Sequence, residues 1–306
     1  MKGIPMAEEI INKLEQIGRW LKENEFVESC KTNNDLMRLA VEVSNHVRLL
    51  MVIASGLIPQ EMFKGYNKES AVIVGHFVRL YKLYDSASYH VSKNQGEIGA
   101  IFTRLFFETS IRMAYLIKNG SASIHNFIFI SYRSDKEILK DLLVKQSQRK
   151  LIPIEERILS GIRWRLQEDG IDEKRLLSNT EWKLDGKDFR EIMKDIDIGH
   201  QYAYGFGSQS STVHGNWRDI RAHHLTFQDG LYNPEWEYDS VDPRNITPLS
   251  IMATDAIVAF LSWNKTDPDG FVSKHASNLG TYAIRLDRFH EDMLNTGISS
   301  DQAPRK

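Results

Sequence analysis

The stretch IGAIFTRLFFETSIRMAYLI, residues 98–117, decides the fold expected for this chain. Its apolar side chains recur at helical spacing and cover about half of a helix surface, so the sequence predicts a helix that is buried in the protein. Arg104, Glu108 and Arg112 follow one another at intervals of four residues, which places them on one stripe of that helix together with Tyr115. Charged groups are costly to bury without partners, so we expect other segments to supply hydrogen bonds to this stripe.

Helical periodicity continues on both sides of this stretch. It predicts further helices over residues 6–24, 32–54, 69–92, 121–148, 153–169, 187–196, 248–263 and 276–294. Residues 199–215 contain four glycines and a run of small hydroxyl residues, and we expect a helix packed closely against a neighbour. Residues 216–246 are rich in Trp, Tyr, Asn and Pro, which indicates irregular structure with at most a short hairpin. The expected fold class is all-α, a single multi-helix bundle with an irregular, aromatic-rich loop region.

Three regions are expected along the 306 residues, a length that can bury a large core. Residues 1–66 would form N-terminal helices that pack on the core. Residues 67–296 would form the helical core domain, and residues 297–306 a flexible tail.

Composition excludes several classes of protein. Because 42% of the residues are hydrophobic and 26% charged, the chain is not a disordered one. The net charge of -2 gives no general attraction to nucleic acid or anionic lipid. Cys30 is the one cysteine, so no disulfide can form within the chain and a reducing compartment is expected. Without an apolar leader or a long uncharged apolar run, we expect a cytoplasmic protein that does not contact membranes.

Two short motifs resemble a known family. The first is the RLFFE run with Arg104, Phe107 and Glu108, and the second, distant one comprises Tyr204, Ser208, Ser211, His214 and Gly215. Together they resemble the helical family named domain of unknown function 5677, over roughly residues 70–265. The resemblance implies an all-helical, intracellular, mostly microbial protein with no established catalytic residues.

A candidate catalytic pattern lies in the sequence WRDIRAHH. Arg218 and His223 are separated by four residues, which is the loose spacing of the HEPN class of helical ribonucleases. In such a site arginine stabilises the charge that develops on a phosphate while histidine moves a proton, without a metal. The spacing therefore predicts metal-independent RNA cleavage by Arg218 and His223, helped by Arg221. Analogy with helical proteins of this kind favours a microbial stress or phage-defence role.

A polar pocket is the other candidate site. We expect the hairpin of residues 69–118 to pack against the glycine- and serine-rich helix, which would join Arg104, Glu108, Arg112 and Tyr115 to Ser211 and His214. Two guanidinium groups around a carboxylate would leave donors for a phosphate or carboxylate ligand. The alternatives are thus an anion-ligand sensor and a non-catalytic binding or scaffold module in which the charges only specify helix packing.

Cofactors and metals are not expected. Histidines 200, 214, 223 and 224 are close in sequence, but their spacing matches no established zinc or iron ligand pattern. The partners that the sequence suggests are RNA or another protein, including a second copy of the chain in a homodimer.

Overall fold

The computed structural model describes residues 4–59, 62, 64–198, 216–238 and 240–296. The helices run in the order α1 Ile4–Glu23, α2 Asn33–Gly56, α3 Lys68–Ser92, α4 Gly96–Asn119, α5 Ser121–Ile130, α6 Arg133–Gln148, α7 Pro153–Asp169, α8 Glu173–Ser178, α9 Phe189–Asp195, α10 Trp217–His223, α11 Thr247–Asn264 and α12 Phe271–Asn295. Strands β1 Leu225–Gln228 and β2 Leu231–Pro234 form a two-stranded antiparallel hairpin after α10. The all-α prediction with a short hairpin is confirmed.

Contacts divide the chain into two compact units. The larger unit comprises Met1–Ala114 and His200–Lys306, and the smaller one comprises Tyr115–Gly199. The expected regions, with boundaries at residues 66 and 296, follow a different division. Helix α4 begins in the larger unit and ends in the smaller one.

Helices α2, α3, α11 and α12 build the core of the larger unit. Phe77 of α3 stacks on Phe260 of α11, with 4.0 Å between the ring centroids. The buried Tyr84 hydroxyl lies 2.8 Å from the Ser250 hydroxyl. A Cβ atom at Gly280 would lie 2.6 Å from the Thr254 hydroxyl oxygen, so α11 and α12 approach more closely than any other residue would permit.

The smaller unit has its own apolar core. Its fully buried members include Leu139, Ile162 and Leu176. The sequence predicted one helix from residue 121 to 148, and this prediction is wrong because the chain breaks into α5 and α6 at Ser131 and Tyr132. The Tyr132 hydroxyl donates to the Asp169 carboxylate at 2.5 Å, which holds the break against α7.

Residues 216–246 were expected to be irregular apart from the hairpin, but Asn216 caps the short helix α10 through a hydrogen bond from the Asp219 amide at 3.2 Å.

Within the described residues, Pro243–Asn264 is long and apolar enough to cross a bilayer. Some 56% of its most apolar window is buried inside the fold, a property that core helices share.

Candidate functional site

Close packing of α3 against α4 positions the polar stripe. The His90 ring of α3 stacks on Phe102 of α4 at 5.4 Å, and Tyr84 contacts Phe106 at 6.0 Å between centroids. A Cβ atom at Gly99 would lie 3.0 Å from the Val91 side chain. These apolar contacts fix how α4 is rotated, and the stripe of charged residues follows from that rotation.

Arg104, Glu108 and Arg112 form a ladder along α4. Glu108 Oε2 lies 3.4 Å from Nη1 of Arg104, and Glu108 Oε1 lies 2.5 Å from Nη2 of Arg112. The side chains of Arg104, Glu108 and Arg112 are 7%, 26% and 43% exposed. The expectation that the stripe is buried therefore holds for Arg104 and is wrong for Arg112. Arg112 lies about 12 Å further along the helix, where it reaches solvent.

Helix α3 adds a third guanidinium and a histidine to this ladder. Arg79 Nε donates to the Thr109 hydroxyl at 3.3 Å. His76 Nδ1 donates to the Val72 carbonyl at 2.7 Å, since a carbonyl oxygen only accepts. Burial lowers the pKa of His76, and the nearby Arg112 and Arg79 guanidiniums lower this pKa further.

We call Arg79, Arg104, Arg112, Glu108 and His76 the arginine cluster. It holds three guanidinium groups and one carboxylate, and all five residues belong to the larger unit. Arg79 and Arg112 are accessible to solvent while Arg104 is buried. The cluster therefore combines a firmly held charge with two that a ligand can reach.

The remaining members of the predicted pocket are Tyr115, Ser211 and His214. Tyr115 belongs to the smaller unit, where its hydroxyl donates to Asp185 at 2.8 Å. Burial and the Asp185 carboxylate raise the pKa of Tyr115, so this hydroxyl stays protonated. Ser211 and His214 lie outside the described residues, as does the rest of the segment 199–215. Their place in the pocket stays a prediction.

The predicted catalytic residues all lie on or at the end of α10. Arg218 and Arg221 are exposed, and His223 is half-buried. At about 100° per residue, the two arginines lie about 60° apart around the helix, whereas Arg218 and His223 lie about 140° apart. The two guanidiniums thus share one side of α10, and the imidazole faces elsewhere.

His223 lines a cleft that the sequence did not indicate. The cleft has a volume of about 260 Å³ and is lined by Gly96, Glu97, Ala100, His223, Ser240, Asp242, Arg244 and Asn245. We call it the Glu97 cleft. Asp242 and Arg244 form an ion pair with Nη2 to Oδ2 at 2.6 Å. Asp242 precedes a proline as a helix cap does, and this was the only sequence signal that could have marked it.

No group of three or more residues with metal-binding side chains occurs within the described part of the chain. Histidines 200 and 214, two of the four that the sequence brought to attention, lie outside it. The rings of His223, the last residue of α10, and His224, the residue after it, lie 6.4 Å apart, and His224 Nε2 lies 3.9 Å from Oδ2 of Asp219.

Comparison with known proteins identifies one relationship. A family model described as "Family of unknown function (DUF5677)" matches residues 70–231. The match covers most of α3, all of α4, α10 and β1, and it ends at the first residue of β2, before Asp242 and Arg244 of the Glu97 cleft. Neither the curated proteins nor the solved structures include a significant match.

Proposed function

Since the matched segment covers more than half of its length, the chain belongs to this family of unknown function, and we propose that it binds an anionic ligand through the arginine cluster. The ligand would carry a phosphate or carboxylate group. The observation that supports this proposal is the imbalance of charge among the described members of the cluster. Two guanidiniums pair with the carboxylate of Glu108, and a third, that of Arg79, donates to the Thr109 hydroxyl.

Among the described residues, the cluster holds three guanidiniums and one carboxylate, so its positive groups outnumber its negative group by two. Glu108 neutralises one guanidinium, and the partner of Arg79 is the uncharged hydroxyl of Thr109. Residues 199–215 contain no Asp or Glu, so this segment has no carboxylate to contribute. Guanidinium groups match the geometry of phosphate and carboxylate oxygens with paired N–H donors. An anion would therefore add negative charge to a cluster in which the described guanidiniums outnumber the described carboxylate.

His76 provides a direct measure of ligand binding. The guanidiniums of Arg79 and Arg112 lower its pKa, and a bound phosphate would offset their charge. We expect inorganic phosphate to raise the pKa of His76 in an NMR titration, whereas sodium chloride at equal ionic strength has a smaller effect. Phosphate at ten times its Kd should also stabilise the fold by about 1.4 kcal/mol. An unchanged pKa of His76 and an unchanged melting temperature would contradict the proposal.

A matched pair of variants separates the cluster from general surface charge. Arg112→Gln removes a solvent-accessible guanidinium from the cluster and should abolish the phosphate response. Arg48→Gln removes an exposed arginine that pairs with Asp85 at 2.9 Å, and we expect it to respond as the wild type does. Equal responses of the two variants would instead support the scaffold alternative, in which the ladder serves only the packing of α4.

Metal-independent RNA cleavage is our second candidate function. Its support is that Arg218, Arg221 and His223 all lie on one helix, with both guanidiniums exposed on the same side. On that side the arginines would hold a phosphate of RNA, and His223, on a different side of α10 at its C-terminal end, would transfer a proton. A role in microbial stress or phage defence would follow from such an activity.

RNA cleavage is tested by incubating single-stranded RNA with the protein in the presence of EDTA. We expect cleavage by the wild type and its loss in His223→Ala. His125→Ala, which removes an exposed histidine of the smaller unit, is the control. Cleavage by His223→Ala at the wild-type rate would exclude this candidate and leave the anion-binding proposal unaffected.

A further inference from the structure

The Glu97 cleft contains a buried carboxylate whose hydrogen bonding is incomplete. Glu97 is 7% exposed, and its Oε2 atom has no hydrogen-bond partner among the described residues. Buried polar atoms of native proteins are nearly always paired, so an exception calls for an explanation. Glu97 lies in the first turn of α4, where the helix dipole favours a negative charge. The carboxylate of Glu97 therefore lies in a favourable helix field while its Oε2 atom lacks a donor among the described residues.

Arg244, the arginine that lines the cleft, is already paired with Asp242. Arg244 donates to Asp242 through Nε at 3.2 Å and Nη2 at 2.6 Å. The backbone amide of Arg244 also donates to Asp242 at 2.9 Å, and the amide of Asp242 donates to Asn245 Oδ1 at 2.8 Å. These bonds hold the wall of the cleft in one conformation. Arg244 and Asp242 balance each other, and the charge of Glu97 remains.

We infer that the Glu97 cleft binds a small ligand through a protonated amine. An ammonium group supplies both the N–H donors and the positive charge that Glu97 lacks. A phosphate is disfavoured there because it would meet the carboxylates of Glu97 and Asp242 at close range. The volume of about 260 Å³ lies just below the usual range for ligand pockets, so the amine belongs to a small molecule. This site is distinct from the arginine cluster and opposite to it in charge.

The proposal is tested with n-butylammonium as the probe and tetramethylammonium as its control, a cation without N–H donors. Binding is followed by calorimetry and by the NMR signals of the His223 ring. We expect n-butylammonium to bind and to shift these signals, and tetramethylammonium to do neither. Absence of binding by the folded wild type, or equal binding of both cations, would overturn the proposal.

Variants locate the binding at Glu97. Glu97→Gln keeps the shape of the side chain and removes its charge, so we expect at least tenfold weaker binding of n-butylammonium. Glu15→Gln removes an exposed glutamate of α1 and should bind as the wild type does. If Glu97→Gln does not fold, Ala100→Leu decides, because a leucine would fill the cleft and leave Glu97 in place. Wild-type affinity in a folded Glu97→Gln or Ala100→Leu variant would refute the site.

Discussion

Glu97 and Glu108 lie on the same helix, about 16 Å apart along its axis, and their surroundings are opposite. Two guanidiniums flank Glu108, whereas Glu97 is buried with an oxygen that lacks a partner in the described structure. The partners of Glu108 come from its own helix at intervals of four residues. Any partner of Glu97 must come from a distant segment or from a ligand. Helix α4 thus carries one carboxylate, Glu108, whose partners lie on the same helix, and another, Glu97, whose partner must come from outside the helix.

The largest effect is expected at the buried end of the ladder. Arg104→Ala should lower the free energy of unfolding by about 2–3 kcal/mol, because it removes a buried partner of Glu108. Arg112→Ala removes the other partner of the same carboxylate. Because the Arg112 side chain is half-exposed, this substitution should lower the free energy of unfolding by less than about 1 kcal/mol. Urea denaturation of both variants measures the difference. Equal losses would mean that burial does not decide the strength of the ladder.

The next effect concerns the carboxylate that the two arginines share. Glu108→Gln should lower the free energy of unfolding by about 1–2 kcal/mol, since it removes the carboxylate that pairs with Arg104 and Arg112. Added phosphate should recover part of this loss if the cluster binds anions. Urea denaturation with and without phosphate gives both values. A variant as stable as the wild type would show that the ladder contributes nothing to folding.

Acidic pH should lower the free energy of unfolding by a smaller amount, through His290 of α12. This histidine is 2% exposed, and neither ring nitrogen has a partner among the described residues. Burial lowers its pKa, so the unfolded chain binds the proton more readily than the folded one. The contribution of neutral His290 to the free energy of unfolding is complete above about pH 6.5, the pKa of an unperturbed histidine. This contribution is lost as the pH falls below that value. His46 and His76 act in the same direction because burial lowers their pKa values too.

His290→Leu isolates the share of His290 in this acid sensitivity. Urea midpoints measured at pH 7 and pH 5.5 should differ less in this variant than in the wild type. His125→Leu, at an exposed position, should keep the wild-type difference. Identical pH dependence in all three proteins would assign the acid sensitivity to other groups.

The smallest effect is expected at Glu97 itself. In the absence of a ligand, Glu97→Gln should change the free energy of unfolding by less than about 1 kcal/mol, because the lost helix-dipole interaction is offset by relief from burying a charge. The contrast with Glu108→Gln sharpens the comparison between the two glutamates. A loss of about 3 kcal/mol or more in Glu97→Gln would show that this carboxylate serves the fold and would argue against a role in binding.

Periodicity was sufficient for much of the fold. The apolar spacing of residues 98–117 predicted α4, and the same pattern predicted the principal helices on either side. It failed at Ser131 and Tyr132, where no glycine or proline marks the break and the bond from Tyr132 to Asp169 requires α7 to be in place. It also missed α10, because the seven residues of that helix are too few to show a period.

Local spacing also explains which parts of the sites could be predicted. The ladder was visible because helical neighbours are fixed by sequence separation. The burial of the ladder could not be predicted in the same way. Arg104 and Arg112 occupy equivalent positions in the pattern and differ only in what covers them. The Glu97 cleft joins residues separated by more than a hundred positions. Nothing in the spacing of Glu97, His223 and Arg244 indicates that they meet.

Helix α4 has a practical consequence for dividing the protein into fragments. The boundary between the two compact units falls at residues 114 and 115, inside that helix. A fragment designed to begin at Tyr115 would retain only the last five helical residues, Tyr115 to Asn119, too few to stay helical on their own. Its first residue would also be the one whose hydroxyl holds Asp185. Expression of the smaller unit therefore calls for a start several turns upstream, with the newly uncovered apolar side chains replaced by polar ones.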